Sequence, residues 1–375
     1  ELREAINAML PKVSAFSASI PLNESLYRAL SAAAAKPELE TLPAAQRRYA
    51  EETLADFREN GAKLPPEKKN RLMEIKQELA AKTQKFGENV LDSTNAYEKI
   101  VEDESLLAGL PESAKAAARQ SARSKGVGSD EKPAWRFTLH IPSLLPVLKY
   151  LDNEDIRKEL YEAHNAIGAT EPYDNTQLVR EILALRHEQA ALLGKEQFAD
   201  VVLERRMAKN GSTALGFVED LHDRVLEAFR IETDEVAQFA HTNTGARTTG
   251  DGEAPDLEPW QASYWQEKLR KERFDIDEEE LRPYFPIDRV IGGLFELTGR
   301  VFGIEVVEIE GASKPSVWHP DVRFYELRDA GSGRHLGSFY ADWHPRESKR
   351  AGAWFNYLST GARGNGKDDP HLGLI

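Results

Sequence analysis

The chain has 375 residues, of which 41% are hydrophobic and 30% charged, with a net charge of −14 and no cysteine. The missing cysteines exclude disulfides, thiol nucleophiles and thiolate metal ligands, and they fit a reducing compartment such as the cytoplasm. The acidic balance argues against a nucleic-acid partner, which needs basic stripes, and no apolar run approaches the roughly 18 residues of a membrane span.

Most of the chain reads as helix. Leu72, Ile75, Leu79, Phe86 and Val90 recur at helical spacing, with charged residues between them. Pro65 and Pro66 stand where that helix should start, and Gly61 where the one before it should end. A short Ala-rich helix is expected over Ala114–Arg123, after Pro111. "PAWRFTLHI" (133–141) favours a strand, stopped by Pro142. Helical pattern resumes from Leu144 to Ala166 and from Thr176 to Leu193, where Gly194 suits a C-terminus. A further long helix covers about Ser212 to Ala240.

Residues 242–259 are rich in Gly, Thr, Pro and acids and read as a loop; helix returns over Trp260–Lys271. "VRFYEL" (322–327) and "HLGSFYADW" (335–343) flank the turn-forming "RDAGSGR", so a hairpin is expected. The stretch 359–370 reads as loop, and "HLGLI" (371–375) as an opening strand. The two loops are the expected first sites of limited proteolysis.

Three constellations could carry chemistry. The first is "HEQAA" (187–191), half of the zinc-peptidase pattern H-E-x-x-H. Its fifth position is Ala191, and a single His cannot hold a catalytic zinc, which takes three protein ligands. His187 and Glu188 therefore read as a helix-surface or packing His followed by a solvated acid. The second is His319-Pro-Asp321 with Asp342-Trp-His344, where alternate residues on a strand share a face. A metal site is conceivable if the pairs converge, but Pro320 interrupts the first pair and structural roles are the better reading. The third is the basic island Arg346, Lys349 and Arg350, which could bind an anion or a substrate carboxylate, or could pair with the chain's own acids. Gly352-Ala353 nearby suggests a close approach of backbones. Phosphate-cradling glycine motifs and the G-x-S-x-G elbow do not occur.

The blocks 264–304 ("YWQEKLRKERFDIDEEELRPYFPIDRVIGGLFELTGRVFGI") and 317–354 ("VWHPDVRFYELRDAGSGRHLGSFYADWHPRESKRAGAW") resemble the thimet oligopeptidase and oligopeptidase A family of zinc metallopeptidases. So do 85–114 and 185–200, and the resemblance runs from about Arg47 onward. Gln261, where Asp is expected, and "NAIGAT" (165–170), where a more basic helix end is usual, depart from the family's pattern.

The resemblance implies a mainly α fold with a small β element, a helical N-terminal wall leading into the start of a zincin-like catalytic domain. Residues 1–150 would form the helical domain and 151–375 the beginning of the catalytic one. It implies zinc and short-peptide substrates for the intact enzyme, with no membrane partner. The family's H-E-F-G-H helix is expected beyond "HLGLI", so no catalytic or metal residue of the family is assigned here and no zinc is expected on these residues alone. The chain then reads as a fragment lacking helices upstream of Glu1, inactive by itself, with exposed apolar surface near its C-terminus through which it could self-associate. The alternative is a non-catalytic helical peptide-binding or scaffold relative.

Overall fold

The computed structural model describes residues 2–244, 257–275, 278–349, 352–364 and 367–375. Helices α1 (Leu2–Leu22), α2 (Glu24–Ala34), α3 (Glu38–Thr41), α4 (Ala44–Glu59) and α5 (Pro66–Ala96) open the chain. Strand β1 (Lys99–Val101), α6 (Glu112–Ser124), β2 (Trp135–Phe137) and α7 (Ile141–Tyr150) follow. Then come α8 (Glu154–Asn165), α9 (Thr176–Leu192), α10 (Phe198–Leu203), α11 (Gly211–Thr244) and α12 (Pro259–Phe274). After α13 (Glu278–Leu281) and α14 (Ile287–Phe302) lie β3 (Ile304–Glu308), β4 (Arg323–Asp329) and β5 (His335–Ala341). The last elements are β6 (Asn356–Ser359), β7 (Ala362–Gly364), β8 (Lys367–Asp369) and β9 (His371–Leu374). The fold is thus mainly helical with small sheets, as expected.

Residues group into two compact units, each made from two separated segments: Glu1–Glu98 with Lys158–Ala262, and Lys99–Arg157 with Ser263–Ile375.

The first unit is helical. Pro66 starts α5, where its missing N–H costs nothing, and Gly61 takes a positive φ of 93° just after α4. The apolar stripe of α5 buries Leu72 and Ile75 completely, and α5 packs on α1 and α9. The buried Asn89 on α5 donates to Asn175 Oδ1 at 2.9 Å, and Asn175 Nδ2 donates to the Phe86 carbonyl at 3.2 Å. These bonds pair the Asn89 amide N–H and both polar ends of Asn175, leaving Asn89 Oδ1 without a partner among the described residues, and fix the approach to α9. Gln261 accepts from the Glu258 N–H at 3.0 Å, so this departure from the family pattern caps the start of α12.

In the second unit the helical pattern expected over Leu144–Ala166 is interrupted at Leu151–Asn153. The cause is Arg157, 2% exposed, which donates to the carbonyls of Leu151 and Asp152 at 2.5 and 3.0 Å. Those bonds satisfy carbonyls of the turn just after α7 and hold the chain in that turn. Its guanidinium also lies 4.0 Å from the centre of the Tyr264 ring. The strand expected over 133–141 shrinks to β2, paired antiparallel with β1, because Ile141 and Pro142 already open α7. Pro142 therefore starts a helix as much as it stops a strand.

The main sheet of this unit has the order β3-β4-β5-β9-β6. The expected β4–β5 hairpin is present, and β9 lies parallel to β5. One face of the sheet buries Tyr325, Phe339 and Ala341, with Phe295 of α14, Val306, Leu327 and Trp343 packed against them. The other face stacks Phe324, Tyr340 and Trp318, with ring centres 4.7 and 5.4 Å apart. The alternation of Phe324 and Tyr325 is the period of two expected of a strand covered on both faces. Gly303 ends α14 in the left-handed conformation, its N–H donating to the Gly299 carbonyl at 2.8 Å.

The segment 359–370 is not simply a loop. β7 and β8 pair antiparallel within it, and residues 365–366 lie outside the described residues. Residues 245–256 of the expected loop 242–259 lie outside them as well, while 242–244 complete α11.

Candidate functional site

Strand β5 delivers Asp342 from the centre of the sheet into the segment "DWHPRESK" (342–349). Asp342 is 8% exposed and accepts two hydrogen bonds from Arg346, Nη1 to Oδ1 at 2.8 Å and Nη2 to Oδ2 at 2.5 Å. Trp318 Nε1 donates to Oδ2 at 3.1 Å. Lys349 Nζ donates to the Asp342 carbonyl at 2.7 Å and the His344 carbonyl at 3.0 Å. The Arg346 fork, then Trp318 and Lys349, hold the Asp342 carboxyl at about 2, from an ordinary 3.8, against the opposing effect of burial.

The same segment is clamped a second time. Glu347 accepts from Lys125 Nζ at 2.9 Å and from Arg136 Nη1 at 2.6 Å. Arg136 belongs to β2, is 4% exposed, and also donates to Ser121 Oγ of α6 at 3.0 Å. Lys125 and Arg136 together hold the Glu347 carboxyl at about 2. The turn after β5 is thus fixed by two ionised acids, each with two cations.

This settles the alternatives left for the basic island. Arg346 and Lys349 pair with the chain's own Asp342; Arg350 lies outside the described residues. Gly352 meets nothing near its Cβ position, so its φ of 100° rather than a close backbone approach explains a glycine there. Close approach occurs instead at Gly373 on β9, where a Cβ would lie 2.8 Å from the Phe355 ring.

The His/Asp constellation does not form a metal site. His319 and Asp321 are neighbours, Nδ1 to Oδ2 at 3.5 Å, but Asp342 is committed to Arg346. Among the described residues no group of three or more His, Asp or Glu side chains could hold a metal ion. The described residues of this constellation do not fit a catalytic zinc, and no chemical step is assigned to them. In the first unit His187 is exposed, and Glu188 accepts from Arg71 Nε and Nη2 at 2.6 and 2.7 Å. "HEQAA" is a helix surface that joins α9 to α5.

Sequence reasoning missed the outer strand β6, whose four residues are all exposed, and its antiparallel pairing with β9. It also missed Arg136, whose only signal was a charged residue inside an apolar strand. Trp354, Phe355, Tyr357, Leu358 and Ile375 form the exposed apolar surface expected near the C-terminus.

The sequence pattern of Peptidase family M3 matches residues 147–373, more than half of the chain and all of the main sheet but Leu374. The chain belongs to Peptidase family M3. It is 39% identical over 361 residues to oligopeptidase A of Escherichia coli (strain K12), covering 95% of this chain and 51% of that protein. To oligopeptidase A of Haemophilus influenzae it is 40% identical over 362 residues, covering 95% and 50%. The organellar oligopeptidase A, chloroplastic/mitochondrial, of Arabidopsis thaliana is 35% identical over 366 residues, covering 97% and 45%. The chain spans about half the length of the curated relatives it matches. Within the M3 match lie both clamps on the turn after β5, apart from Lys125 and Arg136, which precede it.

Proposed function

We propose that this chain contributes the helical wall and first catalytic-domain strands of a zinc-dependent oligopeptidase that hydrolyses short peptides. The observation that carries the reading is the M3 match over 147–373, together with relatives named oligopeptidase A along 95% of the chain. Residues 151–375 are the catalytic-domain portion and 1–150 the helical portion; the start of the match at residue 147 supports that division. Zinc and its general base belong to the H-E-x-x-H helix, a motif that these 375 residues do not contain. The cysteine-free composition fits a cytoplasmic compartment for this reading. Among the described residues no helix is long and apolar enough to cross a membrane.

The peptide-handling element here is the rim of the sheet. β9, with β5 on one side and β6 on the other, is neighbour to the edge; β6 is the edge itself. An extended peptide adds to such an edge through backbone hydrogen bonds, which accept many sequences. The double clamp on Asp342 and Glu347 keeps the β5–β6 connection from wandering across that rim.

The test is a quenched-fluorescent peptide assay, with and without chelator. It compares this chain with a version extended to the full length of the relatives, alongside metal analysis. The 375 residues alone should show no chelator-sensitive cleavage and no stoichiometric zinc; the extended protein should gain both together. Peptide binding without cleavage by either protein would favour the non-catalytic relative. Zinc-dependent cleavage by the 375 residues would overturn the reading and return attention to His319, Asp321, Asp342 and His344.

A further inference from the structure

A groove of about 400 Å³ runs between α1 and α5, far along the chain from the sheet. Ser14, Ala18, Pro21, Asn60, Leu79 and Thr83 line it, and Lys76 of α5 reaches into it. Lys76 Nζ donates to Asn60 Oδ1 at 2.9 Å, a neutral acceptor. No carboxylate and no second cation is among the lining residues. The acids of the neighbouring α4 are engaged elsewhere, since Asp56 and Glu59 both accept from Arg205. An ammonium half out of water with only an amide oxygen to face is an uncomfortable ion. Burial accordingly pushes its pKa below the ordinary lysine value, which enlarges the fraction present as free amine near neutral pH. A desolvated lysine in an apolar setting is one route to an activated nitrogen nucleophile.

We propose that Lys76 is an acyl-accepting site, taking the acyl group of small activated carboxyl compounds that enter the groove between α1 and α5. In the step, the neutral Nζ attacks the carbonyl carbon of the donor. For an acyl phosphate, the N–C amide bond forms, the C–O bond to phosphate breaks, phosphate departs and the amine proton passes to water. No oxidant or reductant is needed. The apolar side of the groove formed by Ala18, Pro21 and Leu79 accommodates a short acyl chain, and the amide product removes the half-desolvated charge that faces Asn60.

The test is substoichiometric labelling of the 375-residue protein with acetyl phosphate, read by peptide mass spectrometry. Lys12 on α1 and Lys85 on α5, both exposed, serve as internal references. Near pH 7, Lys76 should be acetylated at least about threefold faster than either, and its lead should shrink near pH 10, where a sizeable fraction of the reference lysines is also free amine. Asn60→Asp, which places a carboxylate beside the amine, should bring Lys76 to the level of the references while their labelling and the helical circular dichroism stay unchanged. Labelling of Lys76 no faster than the references near pH 7 would overturn the proposal. So would a lead that is the same at both pH values, or one that survives in a folded Asn60→Asp protein.

Discussion

Arg136 and Glu347 are joined by a 2.6 Å hydrogen bond although 211 residues separate them. Arg136 is nearly sealed from water, so removing it strands a carboxylate and a serine hydroxyl that were built around it. Arg136→Met should cost about 2–3 kcal/mol, the value of hydrogen bonds to a charged group lost without replacement. Lys125→Met, at the exposed end of the same acid, should cost far less. Urea unfolding of the two variants checks the ranking.

The two clamped acids also set the acid limit of stability. Asp342 and Glu347 titrate at about 2 in the folded chain, against ordinary values of 3.8 and 4.5. Between those values the unfolded chain binds more protons, so stability rises with pH there. Their contribution is complete above the ordinary values and is lost as pH falls toward 2. The double variant Asp342→Asn, Glu347→Gln should be less stable at neutral pH and show a flatter fall in acid. Urea midpoints measured across the acid range check this; parallel curves for the two proteins would contradict the assignment.

The sheet core offers a packing test. Phe295 meets Tyr325 edge-on at 5.0 Å and Phe339 at 6.4 Å, while Tyr325 and Phe339 stack at 5.1 Å. Phe339→Ala should lose about 3–5 kcal/mol, the usual cost of a large cavity in an aromatic core. Phe339→Leu should recover most of it. Near-ultraviolet circular dichroism with urea denaturation separates the two.

Gly373→Ala tests the placement of β9. The added methyl would sit 2.8 Å from the Phe355 ring, so either the ring or the strand must shift. The substitution should lower the thermal midpoint, and Phe355→Leu made in addition should restore part of it. A neutral Gly373→Ala would mean that Phe355 does not cover the strand.

The helices were legible because each carries its own evidence. The stripe of Leu72, Ile75 and Leu79 needs no knowledge of its partners to announce a helix. The short strands β1 and β6 were not, and β2 was read too long, since these elements hold three or four residues whose conformation is set by pairing with another segment. The stretch 359–370 was read as loop for the same reason: its Gly and polar residues also suit a hairpin. At the candidate site, Arg346 and Lys349 were visible as a local concentration of charge. Their partner Asp342 was read as structural rather than as a metal ligand, but its cations could not be named, because sequence shows which residues are near in the chain and not which cation reaches an acid first. Arg136 could not have been matched with Glu347 by any local pattern.

Each compact unit is closed by a segment that follows an interruption: Lys158–Ala262 for one, Ser263–Ile375 for the other. On a ribosome, α1 to α5 emerge long before α9, on which the apolar face of α5 packs. The contact of α5 with α1 can form at once, while its contact with α9 must wait for the whole intervening stretch. Refolding from denaturant should accordingly be slower than that of a helical bundle of sequential neighbours, whose contacts are all local.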